Sequence, residues 1–567
     1  MKPAAAAASP AEKPAMRPAE KGRRVVVGLF FGLLLTLGLA LHRDYGVSWD
    51  EVNNHLNGLV NLKYVAQRLL PELAARPPFN QRWIPELLHY KDRDHGALFE
   101  MLTSVLGAAL TDGDSRSFYF LRHLCVFLTF GLGVWALYGL GRARFGDWRL
   151  GLLVAAALVA SPRLFAEAFY NGKDVVYMAL YTLAMLTLLR LLRRPTAGRA
   201  LLHALATAAA IDVRAHALHL LLVTGLMLAL EARLGVAEAP AGPRPRYGRL
   251  GGLYAGAALV FAVLGWPYLW AAPLPDLLRF GSGLRSYGWG HSVLYWGRFV
   301  SAAQVPWHYA PVWLAVTTPL PYVLAGLLGL GAALRGLLRT GRLRHRAGRL
   351  DLLLLLWFAG PLLAVMALGS ALYDGWRHLY FVYPALLLLA VRGGLLLVRW
   401  ARTGLAARRV ALALAVGAGI GVAHTVARMV QLHPLQNVYF SVLPAAAAER
   451  LFERDYWGLA YRQGLEWVLA HDAAPRLTVS TPHYVPFYNN SLILPPADRA
   501  RLRFATRAEG TAAYFLTGYR WHPQSYADSL GREVHAIRAG GVKVLSVFRR
   551  GGALSVPAAA GGNRSGR

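Results

Sequence analysis

The chain has almost no cysteine and little acidic charge. Cys125 is its one thiol in 567 residues, and it sits in an apolar run. An intrachain disulfide and any multi-cysteine metal site are therefore excluded. Asp and Glu number 30 against 61 Lys and Arg, a formal net charge of +31. Long polar stretches are also scarce before about residue 430. A soluble protein of this length would divide into several domains with polar surfaces between them. Instead 56% of the residues are hydrophobic, and apolar runs of membrane-spanning length recur with short arginine-rich stretches between them. Backbone groups in hydrocarbon must be satisfied within their own segment, so these runs read as helices. The basic charge does not point to nucleic acid, because the arginines form no continuous basic face. They fall between apolar runs, as in the cytoplasmic loops that orient membrane proteins.

The fold class expected is an all-α polytopic membrane protein of about eleven spans with a small C-terminal extramembrane α/β domain. The spans are 25–41, 118–140, 150–160, 175–192, 200–211, 216–234, 250–270, 311–334, 350–371, 379–398 and 410–427. Residues 97–110 are apolar too, but contain Glu100 and Thr103. They are assigned to an interfacial helix, since this choice puts all the arginine clusters on one side. These clusters are Arg142, Arg144 and Arg149; Arg190, Arg193, Arg194 and Arg199; Arg233, Arg244, Arg246 and Arg249; then 335–349 and 399–409. Residues 1–24 are rich in Ala, Pro, Lys and Glu, and read as a disordered cytoplasmic N-terminus. The first span follows Arg23 and Arg24, and His42, Arg43 and Asp44 succeed it in place of a small-residue cleavage site, so it reads as uncleaved. The membrane domain is 25–428, with a first outside loop at 42–117. Residues 429–550 alternate helical and strand-like patterns, including 476–480 and 542–548, and read as an outside α/β domain. Residues 551–567 are a flexible, Gly-rich tail.

Three outside segments concentrate chemistry. The first is 45–54, where the adjacent carboxylates Asp50 and Glu51 lie just past the first span. A carboxylate there could take a proton from an acceptor hydroxyl. Ser48 and Glu51 also fit a capping box, with Ser48 as N-cap; Glu51 can cap while Asp50 faces a cavity. The second is 161–174, carrying Arg163, Glu167, Lys173 and Asp174. A cation here could hold a phosphate, with Asp174 orienting it. The third is 373–380, where Arg377 and His378 are donors at the level of a lipid phosphate. Arg214, beside His216 and His219, is a further phosphate candidate. Between 271 and 310, Tyr287, Trp289, Tyr295, Trp296, Trp307 and Tyr309 offer faces for sugar rings or isoprenoid, or form an interfacial aromatic belt.

Together these features resemble the GT-C superfamily of polyprenyl-phosphate-sugar-dependent glycosyltransferases. They are most similar to glycosyltransferase family 39, the protein O-mannosyltransferase and aminoarabinose transferase group. The residues carrying the resemblance are Trp49, Asp50 and Glu51; Ser161 and Pro162; Asn171 to Asp174; Asp374 to His378; Pro306 to Tyr309; and Thr317 to Pro321. It covers about residues 24–427, and the tail looks like the outside extension of some bacterial members. The resemblance implies that Asp50 is the catalytic acidic residue of the first outside loop and that Asp174 matches the second-loop acidic position; Glu51, on the same face, is a further catalytic candidate. It also implies a lipid-linked sugar-phosphate donor and an inverting transfer; the phosphate is then expected near Lys173, Arg377, His378 and Arg214, and the acceptor is a lipid, glycan or protein. The location implied is a bacterial inner membrane with the C-terminal domain outside. No cofactor is required; a divalent cation could use Asp50 and Asp174, whose oxygens suit hard cations. The competing reading is a transporter or lipid flippase. Such proteins place ionisable groups near the midplane and use repeated halves, whereas the span centres here are mostly apolar and no repeat is visible. A non-catalytic scaffold would leave the acidic motifs without a role.

Overall fold

The structure is a computed structural model that describes residues 18–235, 245–273, 290–505, 512–526 and 530–550. Among them, nine helices are long and apolar enough to cross a membrane, or up to ten with one bent pair. The nine fall on the expected spans at 25–41, 118–140, 175–192, 216–234, 350–371, 379–398 and 410–427, and on parts of 250–270 and 311–334. The bent pair is Trp148–Val159 and Pro162–Tyr170, which meet at 70°. Pro162 stands at the start of the second helix, where a missing N–H is harmless, and the Ser161 hydroxyl donates to Ala157 O at 2.7 Å. The expected run 200–211 falls on helix Ala197–Ile211. At 1.5 Å per residue this helix is roughly 22 Å long, short for a full crossing.

Several expectations need correction. Residues 18–24, expected to lack order, are the first turns of helix Pro18–Leu41, with Arg23 and Arg24 paired to Glu20 at 3.2 and 3.4 Å. Residues 1–17 and the tail 551–567 lie outside the described residues. The run 311–334 is two helices, Tyr309–Thr317 and Leu320–Leu337, broken where Pro319 and Pro321 cannot continue an N–H ladder. Helix Leu405–Leu432 runs past the expected boundary at 428. Helix Leu98–Leu110 buries Glu100, Thr103 and Ser104 while Leu102, Val105 and Leu110 stay exposed.

Polar side chains gather in two layers at opposite ends of the bundle. In one, Asp351 is fully buried and meets Arg144 at 2.6 Å, Arg342 at 3.4 Å and Arg392, while Arg349 pairs with Glu231 at 2.5 Å. The other holds Asp50, Asp174, Asp374 and Arg377. Between the layers the outer surface is apolar, with Leu29, Leu33, Leu222, Leu412 and Ile420 all exposed, as lipid contact requires. One imidazole is buried between the layers. His203 meets Thr187 Oγ1 at 3.0 Å and Thr224 Oγ1 at 2.9 Å, tying together three helices.

Strands β1 (Ser292–Tyr295) and β2 (Arg298–Ser301) form an antiparallel hairpin, and the C-terminal region carries a five-stranded sheet in the order β4 (Leu502–Phe504), β3 (Leu477–Ser480), β5 (Tyr514–Gly518), β7 (Val542–Arg549) and β6 (Arg532–Ala539). β3 runs parallel to β4 and β5; β5–β7 and β7–β6 are antiparallel, with Phe515 opposite Phe548. Helix Ala460–His471 covers this sheet with Leu465 and Val468 against Leu516, Leu545 and Val547, all fully buried. The hydrophobic core is continuous from these residues to Phe127 and Phe130 in the bundle.

Helices Leu320–Leu337 and Tyr383–Trp400 touch backbone to backbone. A Cβ on Gly329 would collide with Leu389 O, and one on Gly393 with Ala325 O. Small residues permit such approach between spans. Gly329→Ala should therefore cost about 1–3 kcal/mol as an overpacking change, read as a lowered unfolding temperature in detergent. Gly331→Ala, which meets open space, should leave it unchanged; equal effects would refute the tight crossing.

Candidate active site

Three short segments bring carboxylates to one guanidinium. Arg377 Nη1 lies 2.9 Å from Asp50 Oδ2 and 3.3 Å from Asp174 Oδ2, and its Nη2 lies 3.0 Å from Asp374 Oδ2. The aromatic rings of Trp457 and Tyr373 flank it at 4.7 and 5.1 Å. Arg214 pairs with the other oxygen of Asp174. Arg520, from the C-terminal region, pairs with Asp374 and lies 3.7 Å from the buried Glu453.

Local sequence explains each placement. Asp374 and Gly375 take left-handed backbone, φ +57° and +69°. That turn brings Asp374 and Arg377 into contact three residues apart. It is costly for Asp374 and is held by Tyr309 OH accepting from Gly375 N–H at 3.2 Å and by Trp376 Nε1 donating to Thr317 Oγ1 at 2.8 Å. Asn171 prepares Asp174: its Oδ1 accepts from Asp174 N–H at 2.8 Å, and its Nδ2 donates to Asp174 Oδ2 at 3.1 Å and Glu167 Oε2 at 2.8 Å. Gly172 has no room for a side chain, since a Cβ would approach Arg122 Nη2 to 2.5 Å.

The adjacent acids Asp50 and Glu51 face different surroundings. Helix Glu51–Leu69 starts at Glu51, with Asp50 as its N-cap and no side-chain capping bond. The expected capping box forms by half. Glu51 Oε2 accepts from Ser48 N–H at 2.7 Å, but the Ser48 hydroxyl donates to Tyr170 O at 3.3 Å, so Ser48 does not cap. Glu51 is fully buried, its other oxygen 3.2 Å from His123 Nε2 and 3.5 Å from Arg122 Nε. Asp50 is half-buried, its side chain 34% exposed. Its Oδ1 has no hydrogen-bond partner among the described residues, so one carboxylate oxygen of this half-exposed side chain is uncommitted there.

Lys173 is half-buried and makes no hydrogen bond or ion pair among the described residues. Burial draws its ammonium below the ordinary value, opposed by the charge of Asp50. Its charge in turn is the first cause holding the His95 ring below its usual range. His378 Nδ1 is buried without a hydrogen-bond partner, and its ring stands edge-on to Tyr373 at 4.6 Å. Arg163 lies apart, donating to Tyr439 O at 3.0 Å between the rings of Trp313 and Phe440. Glu167 accepts from Tyr380 OH at 2.7 Å and Tyr456 OH at 3.1 Å.

The C-terminal region clamps the first segment. Trp49 N–H donates to Trp457 O at 3.0 Å, and Asn489 Nδ2 to Ser48 O at 2.8 Å. Asn490 exchanges bonds with Val47 N–H and O at 3.1 and 3.2 Å, and Arg462 donates to Arg43 O at 2.6 Å and Tyr45 O at 2.9 Å. Beside Asp50 this region builds an aromatic wall. Trp521 stands 5.8 Å from Trp49, and His483 stands 4.7 Å from Trp521 and 6.0 Å from Trp49. The Arg520 guanidinium lies over both indoles, at 5.4 and 4.5 Å. Of the aromatic segment 271–310, residues 274–289, with Tyr287 and Trp289, lie outside the described residues. Sequence reasoning missed Arg520, Glu453, His483 and Trp521, and quoted Asp374 without giving it a role.

A divalent ion does not fit between Asp50 and Asp174 as they stand, because Arg377 Nη1 lies between them. No group of three His, Cys, Asp or Glu with metal-binding geometry is found among the described residues.

The fold and site define a polytopic membrane protein with an ionic cluster at one end, capped by an α/β region. No protein-family model matches the chain, and no curated protein matches it in sequence. Among solved structures it is similar to ArnT from Cupriavidus metallidurans bound to undecaprenyl phosphate. That match has 13% identity and a TM-score of 0.47, over 92% of this chain and 98% of that one. It is also similar to the Archaeoglobus fulgidus oligosaccharyltransferase in the apo form, at 10% identity and a TM-score of 0.46, over 83% of this chain. Here the chain spans 64% of the other protein's length. The archaeal oligosaccharyltransferase AglB from the same organism, in complex with an inhibitory peptide and a dolichol-phosphate, matches at 10% identity and a TM-score of 0.46, over 86% and 69% of the two chains.

The two neighbouring acids should separate by stability. Glu51→Ala leaves Arg122 and His123 facing a void and should cost about 3–5 kcal/mol, the range for breaking a buried pair. Asp50→Asn keeps the size of a half-exposed group and leaves Arg377 paired with Asp174 and Asp374, so it should cost less than Glu51→Ala. Thermal unfolding of both variants in one detergent checks this; a larger loss in Asp50→Asn would reverse the assignment.

Proposed function

We propose that the protein is a membrane glycosyltransferase. It moves a sugar from a polyprenyl-phosphate donor to a hydroxyl-bearing acceptor at the end of the bundle that holds Asp50. The observation that carries this reading is the gathering of a half-exposed carboxylate and a set of cations, of which Lys173 has no partner among the described residues. The motif resemblance of Trp49 to Glu51, Asn171 to Asp174 and Asp374 to His378 supports it.

In this reading the acceptor oxygen attacks the anomeric carbon while the bond from that carbon to the phosphate oxygen breaks. Asp50 Oδ1 takes the acceptor proton. The polyprenyl phosphate leaves with the electron pair, and Lys173, Arg214 and Arg377 meet its added negative charge, so no general acid is needed. His378, with its unpartnered Nδ1, lies on the donor-phosphate side. Attack opposite the leaving group inverts the anomeric centre. Asp174 and Glu51 act as positioning residues, one fixing Arg377 and Arg214, the other fixing the start of the helix behind Asp50. The half-exposed rings of Trp49, Trp521 and His483 form the acceptor side, where aromatic faces suit sugar rings or peptide. The arginine-rich layer is assigned to the cytoplasm and the carboxylate layer to the outside, by the positive-inside bias, in a bacterial inner membrane.

Purified protein incubated with a panel of polyprenyl-phosphate hexoses, pentoses and aminopentoses should release polyprenyl phosphate from one of them. Asp50→Asn should lower that turnover by about 10²–10⁴-fold with donor binding kept. Lys173→Ala should weaken donor binding. An Asp50→Asn protein that turns over at the parental rate would remove Asp50 as the base. A second measurement concerns metal: dialysis against EDTA should leave turnover unchanged. A loss restored by Mg²⁺ or Mn²⁺ would show that a cation displaces Arg377 from between the two carboxylates.

A further inference from the structure

The arginine-rich layer contains a cavity of about 450 Å³ between four helices. Arg190, Arg193, Arg194 and Arg199 line it on one side, Arg346 and Arg349 on the other, and Glu231 is the one carboxylate in the lining. That acid is already committed to Arg349 at 2.5 Å. Among the described residues Arg193 and Arg199 have only carbonyl acceptors, Ala143 O and, at 2.8 Å, Arg190 O. Arg190 lies 5.4 Å from the ring of the exposed Trp135, and Arg194 has no partner among the described residues. Among the described residues, four guanidinia thus converge on a concave space with no carboxylate paired to them.

The positive-inside bias explains arginine at this end of the bundle, but not its convergence on a cavity. The floor is apolar, made by Leu189, Leu192, Met227 and Leu350. Trp135 and Trp148, each close to an arginine, mark the level of the membrane interface. A cationic rim over an apolar floor at that level matches one ligand chemistry, a phosphodiester with a hydrocarbon chain.

We infer that this cavity binds the headgroup of an anionic membrane phospholipid, with its phosphate among Arg190, Arg193, Arg194 and Arg199 and the start of an acyl chain against Leu192 and Met227. Basic pockets between spans bind such headgroups by the same electrostatics. The site lies in the layer opposite Asp50 and does not depend on the glycosyltransferase reading.

Delipidated protein in neutral detergent can be titrated with phosphatidylglycerol, with phosphatidylcholine of the same chains, and with inorganic phosphate. Native mass spectrometry and thermal unfolding read the binding. Phosphatidylglycerol should bind and raise the unfolding temperature, and the other two should do neither at the same concentration. The double variant Arg190→Gln, Arg194→Gln should weaken that binding on the order of ten-fold or more, and the corresponding double Lys variant should keep most of it. Arg402→Gln with Arg408→Gln, exposed on the same face outside the cavity, should bind as the parent does. Leu192→Trp, which fills the floor without changing charge, should also lose the lipid and serves if the double Gln variant does not fold. Inorganic phosphate reproducing the shift would make this a free-anion site and overturn the lipid assignment. So would equal binding of phosphatidylcholine, or phosphatidylglycerol binding unchanged in both the Gln and Trp variants.

Discussion

The Arg377 guanidinium is the constraint on which the site depends. It is 4% exposed and touches Asp50, Asp174 and Asp374, which come from three separate parts of the chain. Burying a charge is expensive unless it is paired and hydrogen-bonded, and breaking such a pair leaves its partner uncompensated. None of the three segments can therefore settle without the others. The left-handed Asp374–Gly375 turn, the Asn171 bonds around Asp174 and the uncapped Asp50 side chain are consistent with this single requirement. Arg214 and Arg520 extend it, each bonding the far side of a carboxylate that Arg377 already holds.

Arg520 makes the C-terminal region part of the site. It reaches from beyond β5 to Asp374 while stacking on Trp49 and Trp521. The same region holds residues 43–49 through Asn489, Asn490, Arg462 and Trp457 backbone oxygen. Asp50 thus sits at the end of a segment fixed from both sides, by the bundle through Tyr170 and by the α/β region through these amides. A domain that was merely tethered would show a separate core; here the apolar cluster runs unbroken from Phe127 to Val547. The continuous core and the shared ion pairs have the same consequence: the geometry around Asp50 requires the α/β region in place.

Much of this was legible in the sequence, for identifiable reasons. Apolar run length located helices for all eleven expected spans, because hydrocarbon forces every backbone bond inside the segment. Asp50, Lys173, Asp174, Arg214 and Arg377 stood out because charge is rare beside such runs, and the structure brings them together. The breaks were less visible. Residues 311–334 are apolar throughout, and hydropathy does not register the N–H that Pro319 lacks. The capping reading of Ser48 went wrong through tertiary competition, since Tyr170 O lies close enough to take its hydroxyl. Arg520 and Glu453 left no local signal. An ion pair between positions 374 and 520 has no periodicity, and one arginine among 61 Lys and Arg residues is not distinguished by composition.

The two polar layers differ in charge balance, and this bears on the proposed chemistry. In the carboxylate layer Asp50, Asp174 and Asp374 face Arg377, Arg214, Arg520 and Lys173, while burial pushes the Glu453 carboxyl up to about 8, so the acids offset most of the cations before a donor arrives. A sugar phosphodiester brings one negative charge, and breaking its anomeric bond leaves a second on the departing phosphate. Only an interaction stronger in the transition state than in the ground state accelerates the step. The three guanidinia already hold carboxylates, so Arg214 and Arg377 meet the phosphate from fixed positions. The Lys173 ammonium makes no such bond among the described residues and is half-buried on a flexible stem, so it can follow the charge as it develops. A proton passing to Asp50 at the same moment removes one carboxylate charge from the Arg377 cluster. That loosens one of its three carboxylate contacts as the second phosphate charge forms. Within the proposed reaction, the Arg377 network thus couples proton transfer at Asp50 to departure of the phosphate.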